Sequence, residues 1–563
     1  MENQKNLILA VVFSILVLLI FDFFFPQRQV NNVPSEQLSE VTNQERIEPE
    51  ISGSVPKIKT SKSYKQDRIT FNMNRVKGSI NLYGATFDDV ILKNYRLNID
   101  KSSELIHLLK MEDSKSPYLI RMGWASTRKL DLPNKDTLWK SDKKHYNSGE
   151  KINLSWENSD KIKFIRSISI DQNFIFKVVD SIENNSEKEI QVSNFAYIQR
   201  KNYRPKNKFF ILHEGPLGVF NETLKEVSYD DLEENGTITE TSQNGWIGIT
   251  DHYWQVAIFP EVNQTFKARF RFINKQKNSI QVDYINNDVI TIQPKESESV
   301  DSYIFAGAKE VPLIDSYIED LKVAKFDLSV DFGWFYFLTK PLFYALYYLS
   351  NFFGNFGVGI IFLTIFVRII LFPLANKSFK SMNAMRILTP EIKNIRDRYK
   401  DDRTRMNQEM FALYKEKKIN PAAGCLPILI QIPIFFALYK VLFVSIEMRH
   451  AKFFGWIQDL SAPDPTSLFN LFGLIPWDPP NILGIGIWPI LMGLTMYLQQ
   501  KINPPPPDPI QAKVFMMLPF VFTFLLATFP AGMVVYWTIN NILSISQQAI
   551  LLKKQKETGP GKI

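Results

Sequence analysis

Cysteine and histidine are both scarce in this chain of 563 residues. The one cysteine, Cys425, excludes a disulfide within the chain, and the five histidines are scattered along it. No G-x-x-x-x-G-K-[ST] phosphate loop, H-E-x-x-H zinc motif or G-x-S-x-G nucleophile turn occurs. These absences argue against nucleotide hydrolysis and against zinc- or serine-dependent hydrolysis. We therefore expect no enzymatic activity, no cofactor and no metal.

Apolar residues are unevenly distributed. The mean hydropathy is only −0.12, although 45% of the residues are hydrophobic and 44 are Phe. Residues 26–330 are largely polar, whereas 334–375 and 425–552 are dense in Phe, Leu and Ile. Such blocks indicate a soluble domain and a membrane-embedded region in one chain.

The N-terminal segment, 1–25, contains the apolar run LILAVVFSILVLLIFDFFF after Lys5, with no A-x-A cleavage site. This pattern predicts an uncleaved signal anchor that spans the membrane once, with a cleaved signal peptide as the alternative. Residues 26–60 are rich in Gln, Asn, Glu, Ser and Pro and have few aromatics, which predicts a flexible linker.

Residues 61–330, called the β domain below, contain short runs with period-2 alternation, such as RITFNM, FIRSISI and FKARFRF. Gly, Asn and Asp separate these runs. The pattern predicts a large antiparallel β-sandwich in which each sheet has one face exposed to water. The segment 313–324, LIDSYIEDLKVA, predicts a short helix that closes the domain.

The remaining residues predict helices at and across a membrane. The aromatic-rich segment 331–351 predicts a helix on the outer membrane surface, since Trp and Tyr favour the headgroup region. Five apolar segments follow, each about long enough to cross a hydrocarbon layer of roughly 30 Å. With the N-terminal anchor they make six predicted spans. The five segments are 352–375, 425–446, 482–498, 514–529 and 530–552.

Charge in the loops predicts the orientation. The segment 376–424 carries twelve Lys and Arg against six acidic residues, 12 − 6 = +6. By contrast, 447–481 has two basic and four acidic residues. Because basic loops remain in the cytoplasm, 376–424, 499–513 and the tail 553–563 are predicted to be cytoplasmic. The β domain and 447–481 are then outside, and both termini are inside.

Arg368 is an ionisable residue in an apolar segment, about 10 Å from its cytoplasmic end at 1.5 Å per residue. Snorkelling of its side chain to the interface is one interpretation. The other is a water-filled cavity within the bundle, open to the cytoplasm. Thr364 lies one turn earlier on the same face, and Gln431 lies in the next apolar segment.

The last apolar segment is unusually polar. Tyr536, Asn540 and Ser544 recur every four residues, so they form one stripe, which Gln547 extends. Hydrogen bonding between helices would explain any one of these residues. A hydrated groove explains the set more simply, because no carboxylate in the later segments can neutralise Arg368.

The basic segment 376–424 predicts a helical hairpin. Thr389 and Pro390 suit the N-cap and first residue of a helix, and Asp402 suits the cap of the next. Met382 and Met385 belong to an apolar face whose flexible side chains suit variable partners, although an ordinary seam within the hairpin is the alternative. The basic face is compatible with ribosomal RNA or anionic lipid, but charge runs are more typical of a solvated surface.

Three stretches resemble a known family: FVRIILFPLANKSFKSMNAM, QEMFALYKEKKINPAAGCLPILIQIPIFFALYKVL and FPAGMVVYWTINNILSISQQ. They are similar to the YidC family of membrane protein insertases. The large domain after the first span resembles the Gram-negative members. The motifs cover 331–552, while the β domain matches by position, size and strand pattern. The resemblance therefore implies a bacterial inner-membrane protein.

The resemblance implies an insertase and assembly chaperone that works alone or with the Sec translocon on nascent inner-membrane proteins, as a monomer. It implies a groove open to cytoplasm and lipid, a hairpin needed for activity, and a β-supersandwich without catalytic role. Lys440 departs from the family pattern, since an uncharged residue is expected there. The candidate groove residues are Arg368, Thr364, Gln431, Tyr536, Trp537, Asn540 and Ser544. The candidate hairpin residues are Met382, Met385, Pro390 and Met410.

Two other functions remain open on the residues alone. A solute transporter would also need several spans, but no paired half-helices or inverted repeat is visible. An exported sugar-binding protein or sugar enzyme with a membrane anchor would use the β domain. His213-Glu214 and Asp251-His252 could form such a site there, although histidines of this kind are more often structural.

Overall fold

A computed structural model describes residues 67–205, 212–275, 278–400, 402–417, 426–473, 475, 477, 480, 484–503 and 509–558. The predicted anchor and linker, 1–60, lie outside the described residues, as does the end of the tail, 559–563. The side chain of Met382 is likewise outside them, although its backbone belongs to a helix.

The β domain is built from strands, as predicted. Within the described residues they are β1 (Arg68–Asn72), β2 (Val76–Asn81), β3 (Thr86–Arg96), β4 (Leu105–Leu109), β5 (Tyr118–Ala125), β6 (Lys140–Ser141), β7 (His145–Asn147), β8 (Ile152–Glu157), β9 (Ile162–Ile170), β10 (Ile175–Asn184), β11 (Ile190–Arg200), β12 (Gly215–Phe220), β13 (Thr223–Glu226), β14 (Thr237–Ser242), β15 (Gly245–Thr250), β16 (Trp254–Phe259), β17 (Phe266–Asn274), β18 (Ser279–Asn286), β19 (Ile290–Ile292) and β20 (Ser297–Ala308).

These strands form two large sheets. One has the order β14-β17-β18-β11-β5-β3-β2-β1-β7, with β19 paired to β11 and β4 paired to β3. The other has the order β13-β12-β15-β16-β20-β10-β9-β8-β6. The pairings are antiparallel apart from β1 with β7. The prediction of a large antiparallel β domain is confirmed.

Alternation of buried and partly exposed residues explains how the sheets pack. On β9, Ile162, Phe164, Arg166 and Ile168 are buried, while Lys163, Ile165 and Ser167 alternate with them and are partly exposed on the other face. Phe71 of the first sheet meets Phe176 of the second edge to face, with ring centroids 5.8 Å apart. The core therefore lies between the two sheets.

A buried ion pair within the second sheet also contacts the first sheet through its arginine. Arg166 on β9 donates to both carboxylate oxygens of Asp180 on β10, at 2.6 and 3.0 Å, and to the carbonyl of Met122 on β5 at 2.8 Å. The two side chains are 1% and 3% exposed. Because neither charge can be solvated by water, each depends on the other.

Helices follow the strands in the second half of the chain. The described ones are α1 (Tyr229–Asn235), α2 (Val311–Leu321), α3 (Tyr336–Phe353), α4 (Phe356–Ile387), α5 (Thr389–Arg398), α6 (Arg403–Glu416), α7 (Leu426–Val444), α8 (Ile487–Ile502), α9 (Pro509–Leu526) and α10 (Ala531–Thr558). Helix α2 confirms the predicted closing helix, and α7 to α10 each overlap a predicted apolar segment, with ends shifted by up to about six residues.

The starts of two helices differ from the prediction for a clear local reason. The apolar segment predicted to start at 352 begins at Phe356, because Gly354, with φ +67°, ends α3 in the left-handed conformation. The prediction of Thr389 as an N-cap was wrong. Leu388 occupies that position, and the Thr389 hydroxyl instead donates to the Met385 carbonyl at 3.4 Å. The predicted cap by Asp402 is confirmed, since its carboxylate accepts from the Arg405 N–H.

The helices differ in their capacity to cross a membrane. Within the described residues, one helix, Phe356–Ser381, is long and apolar enough by length and composition, with 26 residues and a mean hydropathy of 2.5. Gln431–Val444 and Ala512–Leu526 are shorter apolar helices. The number of spans therefore stays a prediction.

The β domain contacts the end of α7. His252 Nε2 lies 2.8 Å from the carbonyl oxygen of Phe443, so this nitrogen carries the proton and donates. Burial lowers the pKa of His252 to about 4, which keeps the ring neutral at pH 7. Its partner and its burial give His252 a structural role, which was the more common of the two interpretations of Asp251-His252.

The buried Arg166–Asp180 pair predicts a large stability effect. Arg166→Met leaves Asp180 buried without its partner and should destabilise the β domain by about 3–5 kcal/mol. Lys163→Met is the matched control, because Lys163 pairs with Glu183 across the same two strands on an exposed face. It should cost less than about 1 kcal/mol. Pulse proteolysis in denaturant would compare them, and equal destabilisation would contradict this account.

His252 predicts an acid-sensitive contact. Its pKa is lowered from an ordinary value of 6.5 to about 4 in the folded chain, so the unfolded state binds the proton first. The stability that it contributes is complete above the unfolded pKa and is lost as the pH falls from about 6.5 toward 4. His252→Gln keeps a donor for the Phe443 carbonyl and does not titrate. The variant should therefore lose less thermal stability between pH 7 and pH 5, and an identical loss would refute this role.

Candidate functional site

Helix α4 presents Arg368 to α10. The guanidinium donates three hydrogen bonds to α10: Nε to the Asn540 side-chain oxygen at 2.9 Å, and Nη2 to the Asn540 carbonyl at 3.3 Å and the Ser544 hydroxyl at 2.6 Å. Ser544 in turn donates to the Asn540 carbonyl at 2.8 Å. We call these three residues the arginine cluster.

No described carboxylate neutralises the charge of Arg368. In the part of the chain that the structure describes, no carboxylate pairs with Arg368, and its Nη1 makes no hydrogen bond. The three acceptors are neutral. The cluster therefore orients a permanent cation and leaves donors for a further acceptor.

A second polar contact links α7 to α10. Gln431 Nε2 donates to the Tyr536 hydroxyl at 3.2 Å. Next to it, the Phe435 ring lies 4.8 Å from Trp537 edge to face and 6.5 Å from Tyr536. Trp537 also packs against Phe522 of α9 at 5.6 Å. Tyr536 thus belongs to a polar contact, whereas Trp537 lies in an aromatic cluster.

Thr364 lies one turn before Arg368, as the sequence indicated, but its hydroxyl is already engaged. The side chain is 2% exposed, and Oγ1 donates to the Ile360 carbonyl at 2.6 Å. Only its acceptor lone pairs remain available.

Two other amides of α10 contact α8 and the residue that follows it. Asn541 donates to the Thr495 hydroxyl of α8 at 3.2 Å, and Gln548 donates to Asn503 at 3.0 Å. Hydrogen bonding between helices therefore explains these two residues. Asn540 and Ser544, by contrast, hold the cation. The helical spacing separates the two faces, but it does not tell which neighbouring helix each face meets.

The hairpin methionines lie in a seam between its helices. Met385 and Met410 are partly buried against the buried residues Leu388, Ile392, Leu413 and Tyr414. This packing is the ordinary seam considered above. Pro390 is exposed in the first turn of α5. Met385 and Met410 therefore contribute to packing within the hairpin.

Sequence reasoning missed Phe411, whose side chain is 70% exposed on α6. The available signal was helical spacing. Met410, Leu413 and Tyr414 follow the i, i+3, i+4 pattern of the seam, and Phe411 falls outside it. Among the described residues, no group of three or more His, Cys, Asp and Glu side chains is placed to hold a metal ion.

Comparison with known proteins assigns both parts of the chain. Residues 68–345 match the YidC periplasmic domain, and residues 348–558 match the 60Kd inner membrane protein family. The chain is 42% identical over 562 residues to the membrane protein insertase YidC of Rickettsia bellii (strain OSU 85-389), covering 99% of this chain and 100% of that protein.

Two further proteins are similar. The membrane protein insertase YidC of Rickettsia prowazekii (strain Madrid E) is 43% identical over 558 residues, covering 98% of this chain and 99% of that protein. A crystal structure of an active YidC insertase with its first transmembrane domain resolved has 16% identity and a TM-score of 0.36, covering 96% of this chain and 98% of that chain.

The sequence matches confirm the resemblance and the function expected from it. The β domain is a periplasmic domain, and the helical region is that of an inner-membrane insertase. Its substrates are nascent membrane proteins, and its function is not enzymatic, as predicted. The chain therefore belongs to the YidC family of membrane protein insertases.

Proposed function

We propose that the helical region inserts its substrates through a hydrophilic groove open to the cytoplasm and to lipid. Arg368, Gln431, Asn540 and Ser544 line this groove. The observation that carries the proposal is the guanidinium of Arg368, which neutral groups hold and no described carboxylate compensates. A cation in that state stays favourable only if water or a substrate solvates it.

The groove lowers the barrier by solvation. A substrate must carry a polar segment through apolar lipid, where each unpaired backbone group costs several kcal/mol. Water and side chains in the groove hydrate that segment part of the way and shorten the dry path. Arg368 attracts acidic residues on the segment. The apolar part of the substrate then leaves between α4 and α10, driven by roughly 25 cal/mol per Å² of apolar area removed from water.

The proposed topology has six spans with both termini in the cytoplasm. The basic loop 376–424 supports this orientation, as do helices α4 and α7 to α10 at the five predicted apolar segments. Helix α3 would lie on the outer membrane surface. Trp334 before it and Phe337 and Tyr348 within it are exposed aromatic side chains suited to the headgroup region.

The proposed partners are the Sec translocon and anionic lipids, with the protein acting as a monomer. The ribosome is a further proposed partner, and only the basic charge of the hairpin supports it. Helix α4 supports a role for the hairpin in moving substrates, because it continues without a break from Arg368 into the hairpin as far as Ile387. Met385 lies on this continuation of the helix that carries the groove cation, and Pro390 and Met410 lie on the two helices that follow it.

Two adjacent asparagines on α10 separate orientation of the cation from packing. Asn540→Leu removes an acceptor from a charged donor, worth about 1.5–3 kcal/mol, and should lower insertion about tenfold. Asn541→Leu removes a bond to Thr495, worth about 0.6 kcal/mol in membranes, and should leave insertion near the native rate. Insertion into proteoliposomes measures both, and equal losses would reduce Asn540 to a packing residue.

The charge of Arg368 predicts substrate selectivity. Arg368→Ala should reduce insertion of substrates with an acidic translocated tail about tenfold more than insertion of matched neutral ones, because only the acidic tail is attracted to the cation. Arg368→Lys keeps the charge and should keep the preference. Paired substrates that differ only at the acidic positions would be assayed in proteoliposomes. If the alanine variant inserts both equally well relative to the native protein, the charge has no such role.

A further inference from the structure

An ion pair lies at the opposite end of α7 from its cytoplasmic start. Lys440 Nζ is 2.8 Å from Asp331 Oδ2, and the two side chains are 16% and 23% exposed. The sequence indicated only that a charge at Lys440 departs from the family pattern. The structure instead gives it a carboxylate partner, which lowers the cost of a charge on an apolar helix.

Asp331 has a particular place in the chain. It follows a short 3₁₀ helix, Phe326–Ser329, that is buried against the β domain, and it precedes the surface helix α3. Phe326 contacts Trp246 and Phe259 of the β domain edge to face. The Lys440–Asp331 pair therefore connects α7 to the point where the β domain passes into α3.

The turn after Asp331 is shaped around the lysine. Gly333 has φ +70°, a conformation that glycine adopts without strain. A Cβ at this position would lie 3.0 Å from Cε of Lys440, tighter than ordinary packing contacts. The absence of a side chain at Gly333 thus lets the backbone pass over the Lys440 side chain, independently of the ion pair.

Other contacts hold the same end of α7 to the β domain. His252 donates to the Phe443 carbonyl, the Val311 N–H donates to Glu447 at 3.3 Å, and Arg449 donates to the Arg96 and Leu97 carbonyls at 2.6 and 3.0 Å. Each of these bonds uses the backbone of one partner. The Lys440–Asp331 ion pair, by contrast, joins two side chains, so either partner can be substituted to test it.

Charged groups of the β domain face this pair. Lys309 is buried and donates to Thr250 at 2.9 Å, and burial lowers its pKa to about 8, against the effect of Asp331 and other acidic neighbours. Burial raises the pKa of Glu226, while His213, Lys440 and Lys309 oppose that shift. Lys440 and Lys309 therefore both act electrostatically on Glu226.

The position of the pair matters for Gln431. Lys440 is nine residues after Gln431 on α7, about 13 Å along the axis. Pro433 lies between them and removes one backbone hydrogen bond, but a single helix runs from Leu426 to Val444, so both residues belong to one element. An anchor at Lys440 therefore constrains the height and rotation of the helix that presents Gln431 and Phe435 to α10.

We propose that Lys440 and Asp331 form a clamp that fixes the outer half of α7 to the β domain and so positions Gln431 against Tyr536. Lys440 is a positioning residue of the insertase. The functional part of this inference rests on the proposed groove, whereas the clamp itself does not.

Hydrogen exchange of the full chain in proteoliposomes tests the clamp directly. Lys440→Met and Asp331→Asn should each speed amide exchange in 434–444 about tenfold or more, because each leaves one charge without its partner. The double variant should exchange more slowly than either single variant, because it leaves no lone charge. Lys440→Arg should restore native exchange. Insertion rates should follow the same order.

Lys340→Met is the matched control. Lys340 of α3 forms ion pairs with Asp315 of α2 and with Asp327, and neither partner lies on α7. Its loss should leave exchange in 434–444 unchanged. The clamp is overturned if Lys440→Met exchanges like the native chain, or if Lys340→Met speeds exchange in 434–444 as much as Lys440→Met does. It is also overturned if the effects of the two single variants simply add in the double variant. Altered exchange with native insertion would keep the clamp and refute its link to the groove.

Discussion

The guanidinium of Arg368 is a permanent positive charge among helices that are otherwise largely apolar, and a neutral amide, hydroxyl and carbonyl of α10 hold it. A carboxylate partner would neutralise the charge and would compete with other anions for the guanidinium. Neutral acceptors fix its direction without cancelling its field, which a low dielectric strengthens. The proposed groove follows from this constraint, since the cation needs solvation that the described side chains only partly supply.

The outer end of α7 has the opposite character. There charges are paired, backbone groups are engaged by the β domain, and Lys440 meets a carboxylate. A helix that is held at its outer end and carries a polar contact to α10 nearer its other end fits the proposed groove, which opens toward the cytoplasm alone. In this proposal the periplasmic domain, with its two large sheets, supports one wall of the groove.

Local patterns predicted much of this architecture. Period-2 alternation predicted the β domain, apolar runs predicted the helices, and the isolated charge at Arg368 predicted a polar site. Partners far apart in the chain could not be predicted. Asp331 lies more than a hundred residues before Lys440, and nothing local connects them. The different partners of Asn540 and Asn541 could not be predicted either, because the helix that each residue meets depends on how α10 is rotated against its neighbours.

Solvent access to the groove is the most direct test of the mechanism. With Cys425 replaced by Ser the chain has no other cysteine, so Gln431→Cys can be labelled alone with a charged, membrane-impermeant thiol reagent. The account predicts labelling from the cytoplasmic side only. Ile369 is the control, because its apolar side chain is 65% exposed and would meet lipid. Ile369→Cys should react from neither side. A Gln431→Cys thiol that stays unreacted from both sides, or that reacts from the periplasm, would contradict a hydrated groove open to the cytoplasm.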